Sequence, residues 1–370
     1  MTFRVAVAGG GAVGVTTAHD LAVRDADVTL FERDELASGS SGRAAGVCYS
    51  HFPNPVDARI ARRSLSRFRE FAAAREDFEF TSCPYVWFAH ESDEERCDRL
   101  GEQVERMNAT GGDVSRVTPA ELEADFPALR AADIGAAARA DDAGYTEPAT
   151  YVRAMGEAAR EAGVTIEENA PVRLDDDGNL ETPRDAGAFD AVVLTTGVQT
   201  KKLLADAGIQ IAMKPYRVQA LTTEKAAASD EIPMTYDATE GFYFRPRKGG
   251  LLVGDGTELF ERDPDDYPED ADDEFVETNR QRVARRVAFE PRVSRAWAGM
   301  CGATPDYDPL VGEVRDDLFV ACGFQGHGFM RSPGIGELLA KQVLGETDFD
   351  AFDPTRFRGD EEFEIVEGLS

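Results

Sequence analysis

Near its N-terminus the chain reads Val5-Ala6-Val7-Ala8-Gly9-Gly10-Gly11-Ala12-Val13-Gly14. An apolar run that breaks into glycine and resumes with helical spacing admits few folds. Gly9, Gly11 and Gly14 stand in G-x-G-x-x-G register. Residues 3–8 read as a buried strand. Residues 12–24 read as a helix with Gly14, Thr17, Ala18, Leu21 and Ala22 on its inner face, and 27–32 as a second strand. In that context such glycines cradle a pyrophosphate. Gly9 allows the tight turn, Gly11 lets the backbone approach the phosphates, and Gly14 lets the helix pack on the strand with its N-terminus towards the negative charge. Glu32 closes the second strand, at the distance expected of an acid that binds the adenosine ribose. NAD and FAD both satisfy these features.

The rest of the composition narrows the setting. A chain of 370 residues has room for two cores. No run is long and apolar enough to span a bilayer, and the N-terminus opens on a strand, not on a leader pattern. Asp plus Glu is 70 against 40 for Lys plus Arg, a net charge of -30, which makes nucleic acid a poor partner. Lysine occurs only at 201, 202, 214, 225, 248 and 341. Acid-rich, lysine-poor surfaces resemble those of salt-loving cytosolic proteins; the plainer alternative is an acidic protein of ordinary habitat. The five cysteines (Cys48, Cys83, Cys97, Cys301, Cys322) form no C-x-x-C and their number is odd. Free thiols in a reducing, cytoplasmic setting follow, and the scattered histidines offer no metal-ligand spacing.

Along the chain, 57–76, 94–107, 151–162, 275–289 and 334–344 read as helices, and 85–89, 216–223, 241–246, 250–254 and "DLFVACG" as strands. Thr118, Pro119 and Glu121 form a helix-start signature. Residues 261–274, "ERDPDDYPEDADDE", read as a solvated acidic loop. Strands of one character lie at both ends of the chain, so the domains are expected to interleave.

Segments beyond the first turn separate flavin from nicotinamide. "SGSSGRAAG" (38–46) follows the second strand at once, where a nicotinamide dehydrogenase continues its βα units. "AVVLTTG" (191–197) ends a strand in Thr196-Gly197, a return towards the dinucleotide. "CGFQGHGFMRSPGIGE" (322–337) is a second glycine-rich turn into a helix. At this point the chain resembles the FAD-dependent amine oxidoreductases typified by D-amino acid oxidase, glycine oxidase and sarcosine oxidase, and is most similar to the sarcosine–dimethylglycine branch. "VAVAGGGAVG", "VTLFERDE", "DAGYTEPATYVRAM", "YFRPRKGGLLVGDGTE", "WAGMCGATPDYDPLVG" and "GFQGHGFMRSPGIGE" carry the resemblance.

The resemblance implies an α/β plus α+β architecture. A glutathione-reductase-type FAD-binding Rossmann domain (1–80, 145–210 and 295–370) would interleave with a substrate domain (81–144 and 211–294) built on a large mixed sheet. It assigns to the cofactor Gly9, Gly11, Ala12, Val13, Gly14, Glu32, Arg33, Ser40, Ser41, Arg43, Ala44, Ala45, Gly46, Val172, Thr196, Gly197, Gly302, Gly323, Gly326, His327, Gly328, Phe329 and Met330. Relatives that attach their flavin covalently use a cysteine at the position of Gly299 or a histidine at that of Arg43, so noncovalent FAD is expected. Monomeric sarcosine oxidases place a lysine over the flavin where Leu252 stands, and a carboxylate-gripping lysine where Met330 stands.

Candidate substrate residues are therefore Tyr243 and Arg245 on the alternating strand "FYFRP", Arg331 after "GHGFM", and His51. Arg245 suits a bidentate carboxylate grip, with Arg247 two residues on as its rival. The alternatives are a surface arginine among acids, a core tyrosine and an exposed loop histidine. The expected activity is oxidation of the C–N bond of a small amino acid such as sarcosine, dimethylglycine, glycine or a D-amino acid. Hydride would pass to FAD, with oxygen or an electron carrier as final acceptor. A flavin-holding subunit of an electron-transfer complex and an NAD-dependent dehydrogenase are the rivals. Neither metal nor nucleic acid is expected, and oligomeric state is open.

Overall fold

The computed structural model describes residues 2–176, 178–183, 187–255 and 257–366. Gly256, within one of the segments quoted above, lies outside them.

The first strand, Arg4–Ala8, sits in the middle of a six-stranded sheet. Across that sheet the order is Leu310–Arg315, Leu318–Cys322, Ala191–Leu194, Arg4–Ala8, Asp27–Phe31 and Thr165–Glu167. All neighbours run parallel except the Leu310–Arg315 edge. The central strands are apolar throughout because both faces are covered. Val5 and Val7 pack into one core with the helices Ala12–Ala22, Pro55–Ala74, Pro148–Glu161 and Gly328–Val343. Ala6 and Ala8 face the other core, with Leu204, Ile211 and Met213.

The helices meet closely. A Cβ on Gly336 would lie 2.7 Å from Thr16 Cγ2, and one on Gly334 2.7 Å from Ser64 Oγ. The C-terminal helix begins at Gly328, ahead of the start expected at 334, and carries Pro333 inside it. Proline there cannot donate to the Phe329 carbonyl. The Ser332 hydroxyl takes that place at 2.8 Å, so the helix continues through the proline.

A second, eight-stranded sheet runs Val293–Ala303, Lys214–Thr223, Gly250–Asp255, Phe242–Arg247, Met234–Asp237, Tyr85–His90, Ile134–Ala140 and Val114–Val117. It is mixed: Met234–Asp237 pairs parallel with Tyr85–His90, and the rest are antiparallel. One face buries Phe88, Phe242, Phe244 and Leu251 beneath the helix Asp273–Arg286. A small sheet of Val47–Tyr49, Ala143–Tyr145 and Thr81–Ser82 lies where the chain crosses between the large ones. The chain thus feeds the two large sheets alternately. Val293–Ala303 is one continuous strand of the second sheet, so the expected boundary at 295 falls inside it. Among the described residues no helix is long and apolar enough to cross a membrane.

Candidate functional site

The carboxyl ends of Arg4–Ala8, Asp27–Phe31 and Ala191–Leu194 meet at one edge, the edge where open α/β sheets bind their ligands. Gly9 has φ +107°, and a Cβ there would lie 2.6 Å from the Thr195 carbonyl oxygen. One on Gly14 would lie 1.9 Å from the Gly9 oxygen. Gly11 caps the helix Ala12–Ala22 with no side-chain bond of its own; Ser41 Oγ accepts from the Ala12 amide at 3.0 Å. Val13 continues this first turn. Thr195 Oγ1 donates to Ala8 O at 2.9 Å. Thr195 was not singled out from the sequence, yet it braces the glycine turn; its place before Thr196-Gly197 was the available signal.

Glu32 reaches back across this turn. Its Oε2 accepts from the Gly10 amide at 2.6 Å, and its Oε1 from the Asp34 amide at 3.0 Å. Thr196 bonds Thr200 at 2.9 Å, and Gly197 follows with φ +59°. Arg33 turns outward towards Asp34 and Asp265. Val172 is half-buried beside the second core.

The loop 38–46 then bridges the two sheets. Ser40 Oγ donates to Met300 O at 2.8 Å, and Trp297 Nε1 to Arg43 O at 3.1 Å. Arg43 itself pairs with Glu269 at 2.9 Å. Ala44 packs against the first core, and Ala45 offers its carbonyl to Arg245 at 2.6 Å. Gly46 has φ +71°, and its Cβ would lie 2.1 Å from Thr146 O.

The second glycine turn closes from the other side. Gly302 and Gly323 nearly touch: a Cβ on Gly302 would lie 3.3 Å from Gly323 Cα. Gly323 and Gly326 both have positive φ. His327 caps the helix Gly328–Val343 with no side-chain bond to it, and Nδ1 lies 2.8 Å from Gln325 O. Burial, then the Arg331 charge, hold its pKa down to about 3, so its imidazole is neutral. Phe329 and Met330 bury their side chains in the first core, so only their backbone can face a ligand. Among the described residues the buried Gln325 Oε1 finds no hydrogen-bond partner.

The facing sheet supplies a transverse row. Strand register aligns Ala138, Trp87, Tyr236, Tyr243, Gly254, Ala220 and Trp297 side by side. Tyr243 lies over Gly254, where a Cβ would come within 2.0 Å of its ring. Tyr49 stands against this row, its ring centroid 5.1 Å from Tyr85 and 5.8 Å from Trp87. His51 is 2% exposed and edge-on to Trp87 at 6.3 Å, and its Nδ1 finds no hydrogen-bond partner among the described residues. It is therefore no exposed loop histidine, and burial holds its pKa below the usual value. Phe52 spans from Tyr49 to His327.

The arginines are engaged with carboxylates and carbonyls of the chain itself. Arg245 is fully buried and donates to Ala45 O, to Pro246 O at 2.8 Å, to Thr146 O at 3.3 Å and to Glu147 at 3.1 Å. Burial lowers its pKa. Arg247 forks onto the same Glu147, at 2.7 Å from Oε2. Burial raises the Glu147 pKa less than Arg247 and Arg245 lower it, so it stays ionised. Arg331 is 1% exposed and paired with buried Asp57; its Nη2 donates to Phe324 O at 3.2 Å. Arg245 and Arg247 are thus engaged within the protein, while Arg331 keeps one buried nitrogen, Nε, that finds no hydrogen-bond partner among the described residues. Glu147 and Asp57, which meet these guanidiniums, carried no sequence signal beyond their helix starts. Among the described residues no cluster of side chains could hold a metal ion.

Glycines that admit no Cβ, two helix N-termini without side-chain caps, and an acid at the end of the second strand suit an anionic dinucleotide. Roofed by a second sheet, they define a two-sheet dinucleotide-binding protein. The chain belongs to the FAD-dependent oxidoreductases: the family described as "FAD dependent oxidoreductase" matches residues 4–342. It is 28% identical to 4-methylaminobutanoate oxidase (formaldehyde-forming) of Paenarthrobacter nicotinovorans, over 96% of this chain and 46% of that protein. It is 27% identical to mitochondrial dimethylglycine dehydrogenase of Rattus norvegicus, over 95% of this chain and 44% of that protein. The chain spans about half the length of these curated relatives. L-proline dehydrogenase from P. horikoshii superposes with a TM-score of 0.86 at 26% identity, covering 96% of this chain and 97% of that one.

Proposed function

We propose that the protein oxidises the C–N bond of a small amino acid or amine, with noncovalently held FAD. The observation that carries this reading is the aromatic row in which strand register sets Trp87, Tyr236 and Tyr243 abreast, with the rings of Tyr49 and His51 against Trp87. When bound, FAD supplies the hydride acceptor. The glycine turn and the Gly328 helix start would hold its charged and polar ends. Tyr243, Tyr49 and Trp87 would wall the substrate and exclude water, which favours hydride transfer by orientation. Burial disfavours the charged imidazole of His51, so this ring would line the substrate place as a neutral group, and the substrate would enter as the free amine. The imine product hydrolyses in water.

Noncovalent binding is supported at both attachment positions. Gly299 and Arg43 offer no thiol or imidazole, and the Cys301 thiol is pushed up to about 11 by burial. Five free cysteines suit a reducing, cytoplasmic setting. The test is an anaerobic screen of amines and amino acids against the flavin-loaded protein, followed by acid precipitation. Bleaching of the flavin band by an N-methylated or primary amine, and release of all colour into the supernatant, are expected. A flavin that no amine bleaches would favour a non-catalytic subunit.

A further inference from the structure

The acidic segment after the strand Gly250–Asp255 is no free solvated loop. Residues 257–272 leave the eight-stranded sheet, cross to the six-stranded one, and return as the helix Asp273–Arg286. The base is sewn to its own sheet. Arg217, its side chain 1% exposed, bonds Glu258 at 2.9 Å, Asp272 at 3.0 Å and the carbonyl of Asp270 at 2.7 Å. The Arg262 amide donates to Pro215 O at 2.8 Å. The crest is held by the other sheet's cations. Lys201 Nζ lies 2.5 Å from Glu261, and Lys202 Nζ lies 2.9 Å from Asp263 and 2.5 Å from Asp265. Gln199 donates to Asp265 at 2.7 Å. Arg33 lies 3.6 Å from Asp265, and Arg43 2.9 Å from Glu269.

The positions of these cations matter. Arg33 follows Glu32, Gln199 to Lys202 follow Gly197, and Arg43 belongs to the loop 38–46. They ring the strand edge to which the cofactor site has been assigned. We infer that residues 257–272 are a retaining wall of the FAD site, an acidic strap ion-paired across its mouth that must part before the cofactor leaves. The inference rests on that site and not on the substrate. Hydrogen bonds from Lys202 hold the Asp265 carboxyl below its usual range, and those carboxylates hold the Lys202 ammonium above its own, so the pins stay charged around neutrality. An acidic crest also opposes passage of an anionic dinucleotide.

Release of FAD from the holoprotein tests this, read as the return of free-flavin fluorescence after dilution. The buffer is the lowest salt in which parent and variant share one far-ultraviolet circular dichroism spectrum. Asp263→Asn with Asp265→Asn should release FAD about tenfold faster than the parent. Asp98→Asn with Glu102→Gln, which removes the same charge from the exposed face of a distant helix, should leave the rate unchanged. Lys202→Glu should speed release, and adding Asp263→Lys, which rebuilds that pair with its charges exchanged, should restore part of it. In about 1 M salt, where screening acts within about 3 Å, parent and Asn variant should converge. Equal rates at low salt, or a difference undiminished by salt, would overturn the strap. A chain that takes up no FAD overturns the site and the strap together. Flavin that no amine bleaches removes the proposed activity and leaves the release rates decisive.

Discussion

Glu32 accepts the Gly10 and Asp34 amides, so its carboxylate shapes the glycine turn. Glu32→Ala should weaken FAD binding about ten- to a hundredfold, since charge-assisted bonds contribute about 1.5–3 kcal/mol. Fluorescence titration of the apoprotein measures it, and an unchanged dissociation constant would mean that Glu32 touches no ribose. Arg331 makes the opposite case. Its guanidinium and the Asp57 carboxylate neutralise each other inside the protein. Arg331→Met strands a buried carboxylate and should destabilise the fold by about 3–5 kcal/mol in urea unfolding, with Asp57→Asn in the same chain recovering part of the loss. A substrate clamp would behave otherwise, raising KM while the unfolding midpoint stayed put.

Strand register decides what faces the cofactor site at the scale of elements. Leu252 pairs with Arg245 on one side and Thr222 on the other, and is 2% exposed. By resemblance it stands where oxidase relatives carry a lysine over the flavin. A cation there stabilises the anion formed in the first one-electron step to oxygen. Leucine cannot, and the neighbouring Arg245 already has Glu147 as its counter-ion. The reduced protein should therefore react slowly with oxygen and prefer an electron carrier or dye. Stopped-flow mixing with air-saturated buffer gives the rate; fast reoxidation with stoichiometric peroxide would restore the oxidase reading. Leu252→Lys should accelerate the step, provided the ammonium keeps its charge on burial.

Charge acts on the molecule as a whole. With 70 acidic and 40 basic side chains, the folded state gathers like charges that the unfolded chain can spread apart. Many basic groups are engaged in local pairs, among them Lys201, Lys202, Arg217 and Arg356, but these cannot balance the excess. The melting temperature should rise from dilute buffer to molar salt as self-repulsion is screened. Calorimetry across that range is the check, and a flat profile would contradict a salt-adapted surface. Salt should thus stabilise the fold while loosening the strap, so the two readouts move in opposite directions.

The sequence by itself determined the first βαβ unit, because the features that specify it are local: a short apolar run, a glycine spacing and an acid at a strand end. The capping box at Thr118 and Glu121 is present for the same reason. It also carried the family, through motifs whose order survives along the chain. Only the tertiary structure decided the fate of the charged side chains. A guanidinium on an alternating strand reads the same whether it meets a substrate or Glu147, since the partner is about a hundred residues away and nothing local announces it. The aromatic row is of this kind too: Trp87, the neighbouring Tyr236 and Tyr243, and Trp297 come from three regions far apart in sequence, and only sheet register sets them abreast. So is the strap, whose acids look merely solvated until Lys201, Lys202, Arg33 and Arg43 arrive from the other sheet. Short-range geometry is written in neighbouring residues; an ion pair or a shared wall is settled by which distant segments the packed core brings within reach.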